Sequence, residues 1–202
     1  MTGAPIAKLR AQSKAWLAAS FVCGGLAAFA ALGIGGLLVV QTGAFDVRAS
    51  TPHSLLVGWA THTTMIHAAR NGAARVGPSP PITTAAVEAG FRDYDANCAA
   101  CHGGPAVPRA PWTGGMTPSP PFLIDASRQW RRAELFWIIR NGVKMTGMPS
   151  WGFTRSDPQV WNLVAFLEAL PYISPEAYGR MRAAQGTMLR RPCCSPAGSP
   201  SP

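Results

Sequence analysis

Five consecutive residues, Cys98-Ala99-Ala100-Cys101-His102, put two thiols and an imidazole within one helical turn of chain. A Cys-x-x-Cys-His run is the attachment signature of a c-type haem. Thiols three positions apart can each form a thioether with one vinyl group of the porphyrin. The adjacent His102 then offers its imidazole to the iron from the same side. Two other chemistries share part of the pattern. A dithiol redox pair belongs with a βαβ setting, and the flanking sequence has no strand pattern. Half of a zinc site needs further ligands to complete four, and no second Cys/His cluster with metal spacing follows. The spacing therefore points to one covalent haem c bound through Cys98 and Cys101, with His102 as an axial ligand.

A six-coordinate iron needs a second axial ligand opposite His102. The segment after residue 142 offers Met145 and Met148. Met148 sits between Gly147, where bare backbone permits close approach, and Pro149, which stiffens the turn. Met148 is the expected ligand, and Met145 reads as a soft side chain filling space beside the porphyrin. Met116, in a Pro-rich stretch, reads as a wall of the same pocket. His53, His62 and His67 are spaced nine and five apart, which does not make an i, i+4 metal pair. Cys193-Cys194 is an adjacent pair with no histidine nearby, more in keeping with a labile disulfide than with a metal site.

The rest of the chain must position these groups. Its 202 residues are 48% hydrophobic and only 13% charged, about half the usual share for a soluble domain. Five Cys are too few and too unevenly placed for a small disulfide scaffold. Between Ala15 and Phe45 there is no charged residue, and Trp16 to Val40 is nearly all apolar, long enough to cross a bilayer as a helix. The apolar core exceeds that of a secretory signal, so the segment reads as a retained anchor. Small residues at Ala15, Ala19, Cys23, Ala27, Ala31 and Gly35 form a stripe of the kind that permits close helix approach. Lys8, Arg10 and Lys14 precede the span and place the N-terminus in the cytoplasm. The chain beyond the span then carries 15 basic and nine acidic residues, a net of +6.

The remaining pattern is helical. A helix is expected over Thr51 to Arg70, then the stiff linker Gly77-Pro78-Ser79-Pro80-Pro81. Another starts near Thr83 and carries Val87, Phe91 and Tyr94 towards the motif. Residues 103–127 read as a long ordered loop, Trp130 to Arg140 as an amphipathic helix, and Pro158 to Leu170 as a helix opened by Asp157-Pro158. The layout is therefore residues 1–14 cytoplasmic, 15–41 transmembrane, 42–82 helix and linker, 83–172 a haem domain, and 173–202 a basic, then Pro/Ser-rich, tail.

With these residues in view the chain resembles the class I c-type cytochromes in their single-haem, membrane-anchored form, over roughly residues 84–172. Gly90 and Tyr94 before the motif, and Trp161 and Phe166 in the last helix, match the family's crossed N- and C-terminal helices. The stretch Phe136 to Pro149 is similar to its third helix running into the ligand-bearing loop, and the likeness places the sixth ligand in Gly147-Met148-Pro149. The nearest likeness is to cytochrome c subunits of bacterial membrane dehydrogenases or terminal oxidases.

The resemblance implies an all-α fold, a transmembrane helix followed by a cytochrome c domain, and electron transfer rather than catalysis. The alternative is a haem enzyme, a peroxidase or reductase, or a gas sensor with an open sixth position. No His or acidic residue lies in the Met148 loop to act as its acid/base. In the fold, His102 is expected to donate its second N–H to a loop carbonyl, with Pro105 to Pro111 as a plausible source. Arg109, Arg128, Arg131 and Arg132 are candidate neighbours of the haem propionates. The net charge implies an acidic docking surface on a membrane-bound redox complex, and an exported domain is no partner for nucleic acid. The implied location is a bacterial inner membrane, single-pass, with the haem domain in the periplasm.

Overall fold

The computed structural model describes residues 4–189, with side chains over residues 16–185. Cys193 and Cys194 lie outside the described residues. The chain divides into two compact units, residues 1–48 and 49–202. The first is built on one helix, α1 (Ala4–Thr42). Its stretch Trp16–Thr42 has a mean hydropathy of 2.1 over its most apolar window, and every side chain in it is exposed within the unit. Twenty-seven residues rise about 40 Å, enough to cross a hydrocarbon core of about 30 Å with tilt. The two hydroxyls in it are satisfied locally: Ser20 donates to the Trp16 carbonyl (2.9 Å) and Thr42 to that of Leu38 (2.6 Å). Such back-bonding is how a hydroxyl is carried in an apolar span. The small-residue stripe from Ala19 to Gly35 is exposed with the rest.

The second unit is helical, and no strand occurs among the described residues. Its first helix, α2 (Leu55–Ala73), begins later than expected, because Ser54 caps it by accepting from the Val57 N–H (3.4 Å). Residues 51–54 lie outside the helix. The C-terminal turns of α2 pack on α6 (Arg132–Asn141), where Ala69 and Ala73 are buried. Gly72 makes the approach possible: a Cβ there would lie 2.1 Å from the Trp137 indole nitrogen.

Helix α3 (Thr84–Asn97) starts where its pattern predicts, with the Thr83 hydroxyl accepting from the Ala86 N–H (3.2 Å). It crosses α7 (Asp157–Ala169), and this is the main helix pair of the domain. At the crossing a Cβ on Gly90 would sit 1.9 Å from the Asn162 carbonyl oxygen, so only glycine fits. Phe166 fills the space beside it, 5.7 Å from the Phe91 ring and 4.9 Å from that of Tyr94. Trp161 does not join this crossing. It stacks on Phe136 of α6 (4.4 Å between centroids) and so joins α6 to α7.

Two further helix starts differ from the sequence reading. The helix expected from Trp130 starts two residues later, as α6 with Arg131 as its cap residue, and is preceded by the short α5 (Ala126–Gln129). Glu134 turns back to accept from the Arg131 N–H (2.8 Å) and guanidinium, which satisfies an otherwise orphaned donor at the helix start. Helix α7 opens at Ser156, whose N–H donates to Gln159 Oε1 (2.9 Å). Asp157 is already helical and pairs with Arg140 (2.7 Å).

The largest difference is at the C-terminal end. Where a tail was expected from residue 173, α8 (Pro175–Leu189) folds back on the domain. Tyr178 is fully buried, edge-on to Phe91 at 5.4 Å, and Arg182 pairs with Asp95 (2.9 Å). The local composition is polar enough to look like a tail, but one buried aromatic outweighs it. Tyr178→Ala should cost about 3 kcal/mol, the range for emptying an aromatic site in a core. Equilibrium denaturation measures this, and an unchanged midpoint would mean that α8 is dispensable.

Candidate functional site

The thiols and the imidazole come from the end of α3 and the single turn after it, α4 (Ala99–His102). Cys98 closes α3 by donating its N–H to the Tyr94 carbonyl (2.8 Å). Its own carbonyl then accepts from the N–H groups of Cys101 (3.0 Å) and His102 (2.9 Å), which winds the motif into one turn. Both thiols are free and half-buried on that turn. The chain leaves at Gly103, whose φ of 68° lies in the left-handed region that favours glycine. The Tyr94 hydroxyl donates to the Gly103 carbonyl (2.7 Å), so the exit is tied to the α3–α7 crossing.

His102 is oriented by its second nitrogen. Nδ1 lies 2.7 Å from the Pro121 carbonyl oxygen. A carbonyl only accepts, so Nδ1 carries the proton and Nε2 is the bare nitrogen of the neutral ring. This is the arrangement that fixes a metal-binding histidine. Burial is the main cause that holds the His102 pKa below its ordinary value, and the nearby Arg109 charge adds to it. The carbonyl is not one of Pro105 to Pro111, as expected, but lies ten residues beyond them. Those residues instead tie the loop to the motif, with the Ala110 N–H donating to Ala100 (2.9 Å).

Arg109 braces the segment that supplies this carbonyl. Its guanidinium donates to the Pro120 carbonyl and lies over the Phe122 ring, 4.3 Å from the centroid. It therefore holds the residues on both sides of Pro121. The other arginines considered for propionates are engaged elsewhere: Arg128 with Asp125, Arg131 with Glu134, and Arg132 with the Pro80 carbonyl.

The loop after α6 orders itself around Met148. The Met148 N–H donates to the Thr146 hydroxyl (3.1 Å), its carbonyl accepts from Val143 (3.2 Å), and its side chain packs against the core. Met145 is turned to solvent, 91% exposed. Gly147 gives close approach to Met116: a Cβ there would meet the Met116 methyl at 2.1 Å. His53, His62 and His67 are exposed on α2 or just before it.

The arrangement fits an iron porphyrin better than its rivals. A redox dithiol works through a thiolate of lowered pKa, but burial, aided by the Asp93 carboxylate, pushes the Cys98 thiol up to about 12. Among the described residues no three His, Cys, Asp or Glu gather as ligands for a single ion, so Cys98 and Cys101 have no partners for a zinc site. Two clefts of the domain, one beside Asp93 and Arg155 and one between α2 and α6, are not lined by the motif.

Residues 85–167 match the family model described as cytochrome C oxidase, cbb3-type, subunit III. The match runs from the first turn of α3 into α7 and leaves α1, α2 and α8 outside it. No curated protein and no solved structure matches the chain.

The sequence reading missed Pro121, because a backbone carbonyl has no residue signature, and it missed the bracing part of Arg109. Arg109→Ala should destabilise the domain by about 1–3 kcal/mol, the cost of removing a charged donor from part-buried acceptors. Arg128→Ala, which breaks an exposed pair, should cost below about 1 kcal/mol. Thermal unfolding of the two variants side by side checks the contrast.

Proposed function

We propose, from the match of residues 85–167 to a cytochrome c family model, that the chain is a membrane-anchored electron carrier. It holds one haem c through thioethers to Cys98 and Cys101, with His102 and Met148 as axial ligands. When bound, the haem would supply a one-electron couple, which a thioether ligand such as Met148 would shift towards the ferrous form. The observation that carries the reading is the Nδ1–Pro121 hydrogen bond beside two thiols on one turn. It holds His102 in the ligating tautomer without help from any other side chain.

The protein's own part is to fix ligands and to leave no room for chemistry at the iron. Met148 comes from a loop pinned at Val143 and Thr146, and a ligand so held keeps small molecules from the sixth position. Electrons then cross without bonds being made, so no catalytic residue is needed. The loop that follows the motif carries the exposed aromatics Trp112 and Phe122.

The anchor is α1, and the three cations before its apolar stretch favour an N-terminus in the cytoplasm and a haem domain in the periplasm of a bacterium. The matched family's description supports a membrane oxidase complex as the setting. The +6 balance beyond the span suits an acidic docking face on the partner, with association that weakens as salt rises.

The ligand assignment is tested by absorption of the ferric protein. The wild type and Met145→Ala should show the methionine–iron charge-transfer band of a low-spin haem, and Met148→Ala should lose it. A band that survives in Met148→Ala would overturn the assignment. A high-spin wild type that binds carbon monoxide at once after reduction would favour a haem enzyme or sensor.

A further inference from the structure

Helix α2 is longer than the surface that supports it. Nineteen residues rise about 28 Å, while the ten of α6 rise about 15 Å. Leu55, Trp59, Ile66, Ala69 and Ala73 fall within an arc of about 80° on the helix, at 100° per residue. They form an apolar stripe interrupted by the exposed His62, which falls in the same arc. Its C-terminal end, Ala69 and Ala73, is buried against the domain. Its N-terminal end overhangs: Leu55 is 94%, the adjacent Leu56 71% and Trp59 66% exposed.

We propose that this overhanging end is a foot seated in the headgroup region of a phospholipid bilayer, the one that α1 crosses. The proposal rests on the reading of α1 as an anchor. Three observations select lipid as the occupant. Only twelve residues separate Thr42 from Leu55, a reach of at most about 45 Å, so the patch is held close to any membrane that α1 enters. The side chains are leucines and a tryptophan, the types that settle at a bilayer interface. From residue 49 to residue 82 there is no Asp or Glu, while Arg70 and Arg75 are present, so nothing on this segment repels anionic headgroups.

Because the other end of α2 is clamped on α6, a seated foot fixes how the haem-bearing domain stands on the membrane. The domain is then held in a limited range of orientations rather than swinging on residues 43–48. This would favour repeated encounter with one membrane partner over search of the surrounding solution.

The test uses the full-length, haem-loaded protein in nanodiscs of phosphatidylcholine with a minor share of phosphatidylglycerol. A benzophenone amino acid is placed singly at Leu56, at Leu37 in α1, or at Glu88 on α3. All three side chains are exposed, so the substitutions leave the core intact. After illumination, mass spectrometry reads whether a phospholipid has been added. The foot requires lipid adducts at 37 and at 56, and several-fold less at 88. Adducts at 37 alone, with 56 unmodified or joined to a polypeptide, would overturn the foot and leave the anchor standing. Equal adducts at 56 and 88 would also overturn it. Adducts at neither 37 nor 56 would remove the anchor and the foot together.

Discussion

At Gly90 the backbones of α3 and α7 approach until no side-chain atom fits between them, and the site depends on that contact. The Asn162 carbonyl occupies the place where a Cβ would be. The aromatics Phe91, Tyr94 and Phe166 close around it, and the crossing fixes the direction in which α3 ends. The last turn of α3 delivers Cys98, and the next turn delivers Cys101 and His102. A rigid crossing thus becomes a rigid pair of thiols and a fixed imidazole. Tyr94 belongs to both parts: its ring lies in the crossing and its hydroxyl holds the Gly103 carbonyl at the exit from the motif.

The far side of the motif is held by loops and by a helix beyond the matched segment. Pro121 accepts from His102, Arg109 steadies the neighbours of Pro121, and Tyr178 of α8 packs on Gly104, where a Cβ would lie 2.7 Å from its ring. A proline-rich loop suits this task because it loses little entropy on ordering and leaves many carbonyls without an N–H competitor. Held from both sides, the imidazole would need little reorganisation if an iron bound to it changed valence, the property that the proposed electron carrier requires. The raised pKa of the half-buried Cys98 thiol is in keeping with the proposed thioether, which has no need of a reactive thiolate.

Local features were legible in the residues themselves. The Cys-x-x-Cys-His spacing, the Thr83 cap of α3, the glycine at 90 and the apolar run after Trp16 each depend on one stretch of chain. What lay hidden depended on distant stretches. Trp161 could face α3 or α6 with equal hydrophobic gain, and only the third dimension sends it to Phe136. Tyr178 sits in a polar segment whose burial is decided by Phe91 and Asp95, more than eighty residues earlier. The Pro121 carbonyl is backbone and leaves no trace in side-chain chemistry. Ser156 and Asp157 are both good caps, and Gln159, reaching back, decides between them. Met145 and Met148 share a loop, and its internal hydrogen bonds turn the one outward and the other towards the core.

The central claim is covalent, and intact-mass spectrometry of the full-length protein, produced in cells that attach haem, tests it most directly. The expected result is the mass of the chain with one haem added, and Cys98 and Cys101 protected from alkylation after denaturation. A colourless protein of bare chain mass, with both thiols alkylated, would contradict it.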